Sequence, residues 1–119
     1  MVTLLYVEDD ENVRLLAQDL FSWKGYIIHS AVDGLEGLEI LRQTEGIEII
    51  FTDYQMPRMN GLKFVEEVRK NKDYARYADV PIVGVGSFPD HYKNELKECL
   101  VKPFGIKDLL RCVEQYCRE

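Results

Sequence analysis

Polar side chains suited to chemistry follow several short apolar runs of this sequence. Glu8 and Asp9 come directly after the first apolar run, Asp53 closely follows the third, and Lys102 follows the fifth. Carboxylates brought to one edge of a fold repel each other unless a cation lies between them, and oxygen ligands of this kind suit Mg²⁺. A lysine at the same edge supplies the compact positive charge that phosphoryl chemistry uses. These residues therefore predict a magnesium and phosphoryl site, provided that the fold brings them together.

Short apolar runs alternate with helical periods along the chain, and this alternation predicts the elements that would position the site. The predicted strands are residues 3–7, 26–30, 47–51, 81–85 and 99–101. Because the runs are apolar throughout, both faces of each strand must be buried, which is typical of a parallel sheet covered by helices. The predicted fold class is therefore α/β, a three-layer, doubly wound sheet. Ligands in such sheets bind at the carboxyl ends of the strands.

The candidate site residues also have ordinary structural explanations. Acids that follow a strand often cap the next helix, so Asp10 is equally consistent with a cap and with a site residue. Lys102 by itself is consistent with a solvated surface lysine. Asp53 is harder to explain in this way, because Pro57 and Gly61 already supply the turn residues of its loop.

Composition and charge argue against several classes of protein. A chain of 119 residues fits one domain, predicted here over residues 1–119. With 15 basic and 21 acidic residues and a net charge of −6, the chain offers no basic stripe for direct nucleic-acid binding. No apolar stretch approaches the length of a membrane span, and we expect no membrane association and a cytoplasmic location. The three cysteines form no Cys-x-x-Cys pair, which argues against a disulfide framework or a zinc site.

Three segments carry a resemblance to a known family. The segments LLYVEDDENVR, FTDYQMPRMNG and LVKPF, at the ends of the first, third and fifth predicted strands, resemble the receiver domain of two-component response regulators, within the CheY-like, flavodoxin-like superfamily. The resemblance covers essentially the whole chain and implies a five-stranded parallel sheet in the order 2-1-3-4-5 with five helices. Gly86 and Lys102 lie closer together in the sequence than is usual in the family, so we expect a short fourth helix.

The resemblance also implies a role for each residue that matches the family motif. Asp53 matches the phosphoacceptor, and Lys102 matches the lysine that pairs with it and then with the phosphoryl group. Glu8, Asp9 and Asp53 match the carboxylates of the Mg²⁺ site, to which Gln55 adds its backbone carbonyl. The implied donor is a histidine kinase or a histidine phosphotransfer protein, with a downstream effector protein or a fused output domain of unspecified type. The chain is then not an enzyme, apart from catalysing its own phosphorylation and dephosphorylation.

Two positions depart from the family pattern. Gly86 stands where a threonine or serine usually ends the fourth strand, and Ser87 follows one residue late. Strand alternation points Ser87 to the opposite face unless a bulge at Gly86 resets the register, and both arrangements remain open, so Ser87 is a provisional site residue. The usual aromatic residue three positions before the lysine is replaced by Cys99, which predicts an altered output face.

Three function classes follow from this sequence. The leading one is a phosphoacceptor switch of a two-component phosphorelay. The second is a receiver-fold interaction scaffold with atypical or weak phosphorylation-dependent output, which Gly86 and Cys99 favour. The third is a small phosphatase of the haloacid-dehalogenase type, which would need an acid at position 55, where this chain has Gln55.

Overall fold

The computed structural model describes residues 1–117, with the backbone alone described at Lys93. Its strands are β1 (Thr3–Val7), β2 (Ile27–Ala31), β3 (Ile49–Asp53), β4 (Ile82–Val85) and β5 (Glu98–Leu100). All pairs are parallel, and the five strands form one sheet in the order β2-β1-β3-β4-β5. The predicted fold class and strand order are therefore confirmed.

Helices connect the strands on both faces of the sheet. The α-helices of the described residues are α1 (Glu11–Trp23), α2 (Gly34–Gln43), α3 (Gly61–Lys70) and α4 (Ile106–Tyr116). A 3₁₀ helix (Asp90–Glu95) stands between β4 and β5, so the predicted short fourth helix is confirmed. Within residues 1–117, no helix combines the length and the apolar character needed to cross a membrane.

The polar, turn-like composition of residues 71–79 predicts a loop after the third helix, and the structure differs from this prediction. The segment contains a second 3₁₀ helix (Lys72–Tyr77), which follows α3 directly. Tyr74 and Tyr77 are both buried there, and the Tyr77 hydroxyl donates a hydrogen bond to the backbone carbonyl of Thr44. The prediction of a loop was wrong because this mostly polar segment also contains Tyr74 and Tyr77. They lie one 3₁₀ turn apart, and both rings pack into the core.

The core has two layers, one on each face of the sheet. Alternation along β1 sends Leu4 and Tyr6 toward α1 and α4, and Leu5 and Val7 toward α2 and α3. All four side chains are fully buried. Strands buried on both faces explain why their sequences are continuously apolar, and this central position holds the carboxyl ends of β1 and β3 rigidly.

Asp10 is the N-cap of α1. Its Oδ1 accepts hydrogen bonds from the backbone amides of Asn12, at 2.9 Å, and Val13, at 3.3 Å. Of the two explanations that the sequence leaves open for Asp10, the structure therefore favours the helix cap.

Candidate functional site

Strand register brings Glu8 and Asp53 together at the carboxyl edge of the sheet. Val7 of β1 pairs with Thr52 of β3, so the next residues of the two strands, Glu8 and Asp53, follow side by side. One carboxylate oxygen of each, with one of Asp9, forms a group whose members lie within 4.8 Å of one another. The three acids that the sequence singles out therefore form one cluster.

The electrostatics of this cluster are dominated by the burial of Glu8. Its side chain is only 1% exposed, Oε2 accepts a 3.4 Å hydrogen bond from the Asp10 amide, and Oε1 is buried without a partner. Burial raises the pKa of Glu8 well above its ordinary value, the neighbouring carboxylate of Asp53 raises it further, and Lys102 opposes the shift. The cluster fits a hard divalent cation, because such an ion would compensate crowded carboxylates and satisfy an unpaired oxygen.

Asp53 is held between a backbone amide and a lysine. Its Oδ1 accepts a 2.7 Å hydrogen bond from the Tyr54 amide, and its Oδ2 lies 3.9 Å from Lys102 Nζ. Lys102 precedes Pro103 through a cis peptide bond. The Lys102 side chain is 52% exposed and that of Asp53 is 13% exposed, so the ion pair adds little to stability. The main effect of Lys102 is therefore to place a positive charge beside the Oδ2 atom of Asp53.

Ser87 lies on the same cleft as Asp53. The cleft is lined by Asp53, Tyr54, Gln55, Gly86, Ser87 and Lys102. Gly86 has a φ of +117°, and its amide donates a 2.8 Å hydrogen bond to the Leu100 carbonyl. This glycine conformation redirects the chain after β4, which favours the bulged arrangement over simple strand alternation.

The ring of Phe88 packs against Tyr54, which lines the cleft. It is buried, and its centroid lies 5.2 Å from that of Tyr54. A Cβ on Gly84 would come within 2.8 Å of this ring, so a glycine is needed there. At the position where the family has an aromatic residue, the Cys99 thiol donates a 3.2 Å hydrogen bond to the Gly86 carbonyl. The surroundings of the cleft therefore differ from the family pattern, as the sequence predicts, while the consequence for output stays a prediction.

Gly61 and Arg14 support the site in ways that sequence reasoning missed. A Cβ at Gly61 would lie 2.0 Å from the Asp53 carbonyl oxygen, so only glycine permits this approach of α3 to β3. The Arg14 guanidinium donates to the carbonyls of Glu8, at 3.0 Å, and Asp9, at 3.3 Å. The position of Arg14, one turn into the helix that follows the acids, is the signal that could have identified it.

Tyr6 is a third residue that sequence reasoning missed. It lies two residues before Glu8 on β1, is fully buried, and has a hydroxyl without a hydrogen-bond partner. Burial raises the pKa of Tyr6, and the negative charges of Glu8 and Asp53 add to the shift. Period-two alternation along the first strand places Tyr6 on the same face as Glu8, and this pattern could have revealed it.

Comparison with known proteins agrees with the fold. The family model described as the response regulator receiver domain matches residues 4–114. Sensor kinase CckA of Brucella abortus is 31% identical over 115 residues, which are 95% of this chain but 12% of that protein. The chemotaxis protein CheY homolog of Campylobacter jejuni is 31% identical over 108 residues, which cover 85% of this chain and 81% of that protein.

A solved structure extends the similarity to three dimensions. The response regulator protein TrrA from Thermotoga maritima, in complex with Mg²⁺–BeF, matches with a TM-score of 0.81 and 27% identity, covering 98% of this chain and 99% of that chain. The family model spans nearly all the described residues, and the acids and the lysine that the sequence predicts as site residues meet at one edge of the sheet. The chain thus belongs to the response regulator receiver domain family.

Proposed function

We propose that this chain is the phosphoacceptor switch of a two-component phosphorelay and that Asp53 accepts the phosphoryl group. The observation that carries the proposal is the position of Asp53: its Oδ2 lies 3.9 Å from Lys102 Nζ, beside the acidic cluster and within an open cleft. Holding the buried carboxylate of Glu8 beside those of Asp9 and Asp53 would be an expensive arrangement for stability alone, because a desolvated charge next to like charges opposes folding.

The transfer step follows from the chemistry of a carboxylate nucleophile. An Asp53 carboxylate oxygen attacks the phosphorus of a phosphohistidine, forming an O–P bond while the P–N bond breaks. The electron pair of that bond returns to the imidazole nitrogen, which leaves in line with the attack and takes up a proton. The ammonium group of Lys102 moves from the carboxylate to an oxygen of the transferred group.

Glu8, Asp9 and Asp53, with the Gln55 carbonyl, are the residues that would hold Mg²⁺. The buried, unpartnered Oε1 of Glu8 and the crowding of three acids fit such an ion. When bound, Mg²⁺ supplies positive charge that neutralises the oxygens of the transferring group. The Mg²⁺–BeF complex of the similar protein TrrA supports this assignment.

Ser87 completes the proposed site as a hydroxyl donor to a phosphoryl oxygen. Its place on the cleft beside Asp53 and the positive φ of Gly86 support this role. The acyl phosphate is then hydrolysed by water at the same cleft, so the chain catalyses only reactions of its own phosphoryl group. Residues 1–119 act in this proposal as one receiver domain in the cytoplasm.

The proposed partners are a phosphorylated histidine kinase or histidine phosphotransfer protein and a downstream effector or fused output domain. A sensor kinase and a CheY homolog among the similar proteins support this pairing. The alternative function is a receiver-fold interaction scaffold with weak phosphorylation-dependent output. Gly86 and the thiol of Cys99, which replace the usual hydroxyl and aromatic ring of the family, favour this alternative.

Phosphorylation by a small donor tests the proposal. The chain is incubated with acetyl phosphate and Mg²⁺, and intact-mass spectrometry counts the phosphoryl groups that it acquires. We expect one group on the wild type, none on Asp53→Asn, and none when Mg²⁺ is removed by a chelator. Asp19→Asn, at an exposed acid of α1, is the matched control and should be modified like the wild type.

Two results would contradict the assignment of function. A phosphoryl group on the Asp53→Asn variant would show that another residue is the acceptor. A folded wild-type chain that stays unmodified with Mg²⁺ present would favour the scaffold.

A further inference from the structure

Two polar atoms, one in the acidic cluster and one in a neighbouring side chain, are buried without a hydrogen-bond partner. They are Tyr6 Oη and Glu8 Oε1, in side chains that are 0% and 1% exposed. Buried polar atoms are nearly always paired, since an unpaired one costs the free energy of its lost hydration. One of these atoms is a hydroxyl that can donate, and the other is a carboxylate oxygen that accepts.

The side chains of Tyr6 and Glu8 extend from the same face of the sheet. The two residues lie two positions apart, and the parallel ladder continues through the second of them, because the Glu8 amide donates a 2.9 Å hydrogen bond to the Ala31 carbonyl. The same spacing holds on β3, where Phe51 precedes Asp53 and pairs with Tyr6 in the register. An aromatic pair therefore lies directly beneath the carboxylate pair.

The Tyr6 ring is fixed by its aromatic neighbours. It stacks on Phe51 with a centroid distance of 5.4 Å and an interplanar angle of 19°. The Phe51 ring in turn stacks on Phe21, with 5.6 Å between the ring centroids. Because the Tyr6 ring is fixed by this aromatic stack, its hydroxyl would lose little side-chain entropy on forming a hydrogen bond. Glu8 has one side-chain torsion more than an aspartate would have, so its carboxylate benefits more from a fixed donor.

We propose that Tyr6 is a positioning residue of the cation site, whose hydroxyl donates a hydrogen bond to Glu8 Oε1 when the three acids hold a divalent cation. The inference rests on the proposed function and deepens it. A donor behind a ligating carboxylate fixes its orientation, and such outer contacts strengthen metal binding. In this chain the contact would pair both unpartnered atoms at once.

Titration with Mg²⁺ tests the role of Tyr6. Binding is followed by the NMR shifts of backbone amides in the wild type and in Tyr6→Phe, which removes only the hydroxyl. We expect the affinity of the variant for Mg²⁺ to fall about 10-fold. We expect its free energy of unfolding without Mg²⁺ to be unchanged or higher, because an unpartnered buried hydroxyl is lost. A merely structural role would lower stability and leave the affinity unchanged.

Tyr77→Phe is the matched control, since the Tyr77 hydroxyl donates to Thr44 and accepts from the amide of Ile47, far from the acids in sequence. It should lose stability and keep the wild-type affinity for Mg²⁺. Glu8→Asp provides a second background, because the shorter side chain withdraws the acceptor from Tyr6. There the added Tyr6→Phe change should have no further effect on affinity.

Several results would overturn the inference. Affinity of Tyr6→Phe within about twofold of the wild type would do so, as would an equal loss of affinity in the wild-type and Glu8→Asp backgrounds. If either occurs while acetyl phosphate still modifies Asp53, the proposed function stands. A wild type that does not bind Mg²⁺ overturns both. The ¹³Cζ resonance of Tyr6 gives a measurement on the native chain: it should shift on addition of Mg²⁺, and an unmoved resonance also overturns the inference.

Discussion

The backbone of Gly86 approaches Asp53 so closely that a Cβ at position 86 would lie 2.9 Å from Asp53 Oδ1. Two independent features therefore require glycine at position 86: this close approach and a φ of +117°. The position where the family has a switch hydroxyl cannot carry a side chain in this conformation. Of the two residues after β4 that line the cleft, Gly86 and Ser87, only Ser87 carries a hydroxyl.

The first prediction concerns Gly86→Ala. We expect a loss of about 1–3 kcal/mol in the free energy of unfolding, because alanine is strained at this φ. We also expect slower phosphorylation by acetyl phosphate, because the added methyl group displaces the Asp53 carboxylate. Urea denaturation and intact-mass kinetics measure the two effects.

Gly46→Ala separates strain from contact in this prediction. Gly46 also has a positive φ, +84°, but a Cβ there meets nothing within 4 Å. The Gly46→Ala variant should therefore lose stability, because alanine is strained at a positive φ, and should keep the wild-type phosphorylation rate. Equal phosphorylation rates for the two variants would show that the approach to Asp53 has no effect on the acceptor.

The second prediction concerns Ser87→Ala. If the Ser87 hydroxyl binds a phosphoryl oxygen, its removal should slow phosphorylation by acetyl phosphate about 10-fold or more. Stability should change by less than about 0.5 kcal/mol, because the residue is exposed. Ser22→Ala, at an exposed serine of α1, is the control. An unchanged rate for Ser87→Ala would mean that backbone amides and water alone bind the phosphoryl group on this side.

The α/β class and the acidic edge could be predicted because they depend on local patterns, whereas the strand order 2-1-3-4-5 was implied by the resemblance to the receiver family. Continuous apolar runs predict strands buried on both faces, and the carboxyl ends of parallel strands necessarily share one edge. That places Glu8, Asp9, Asp53 and Lys102 at one edge, and the pairing of β1 with β3 makes Glu8 and Asp53 neighbours. The lining of the cleft by Ser87 could not be predicted, because glycine at position 86 permits both a regular strand and a redirected chain.

Other features depend on contacts that a single sequence does not reveal. Leu16 lies at the helical spacing of Val13, Ala17 and Leu20, which predicts a core position, yet it is 65% exposed. Periodicity does not say whether another element covers the whole apolar face. The role of Gly61 depends on its distance from Asp53, and Tyr74 and Tyr77 are buried by neighbours distant in sequence. Patterns within one segment predict that segment, whereas contacts between segments require the structure.

The third prediction concerns the pH dependence of the contact between Arg58 and Asp33. Arg58 Nε donates a 2.6 Å hydrogen bond to the Asp33 carboxylate, which is 2% exposed and also accepts from the Glu36 amide at the start of α2. Burial alone would raise the pKa of Asp33, but these donors and the charge of Arg58 outweigh it and lower the pKa. A lowered pKa in the folded chain means that the carboxylate stabilises the fold above its ordinary pKa, and that this contribution is lost as pH falls through the folded value.

Replacement of Arg58 by methionine should therefore lower the free energy of unfolding at pH 7, and only modestly, because the arginine side chain is 59% exposed. The difference from the wild type should shrink as pH falls below the ordinary pKa of an aspartate, about 4, and should vanish only below the lowered folded-state pKa, where Asp33 is protonated in both proteins. Urea denaturation at several pH values measures both quantities. Arg76→Met, which removes an exposed ion pair with Glu45, is the control and should change stability little at pH 7. If the loss in Arg58→Met were the same at every pH, Arg58 would act through its packing or its backbone φ of +62°, and the carboxylate of Asp33 would not be the group that it stabilises.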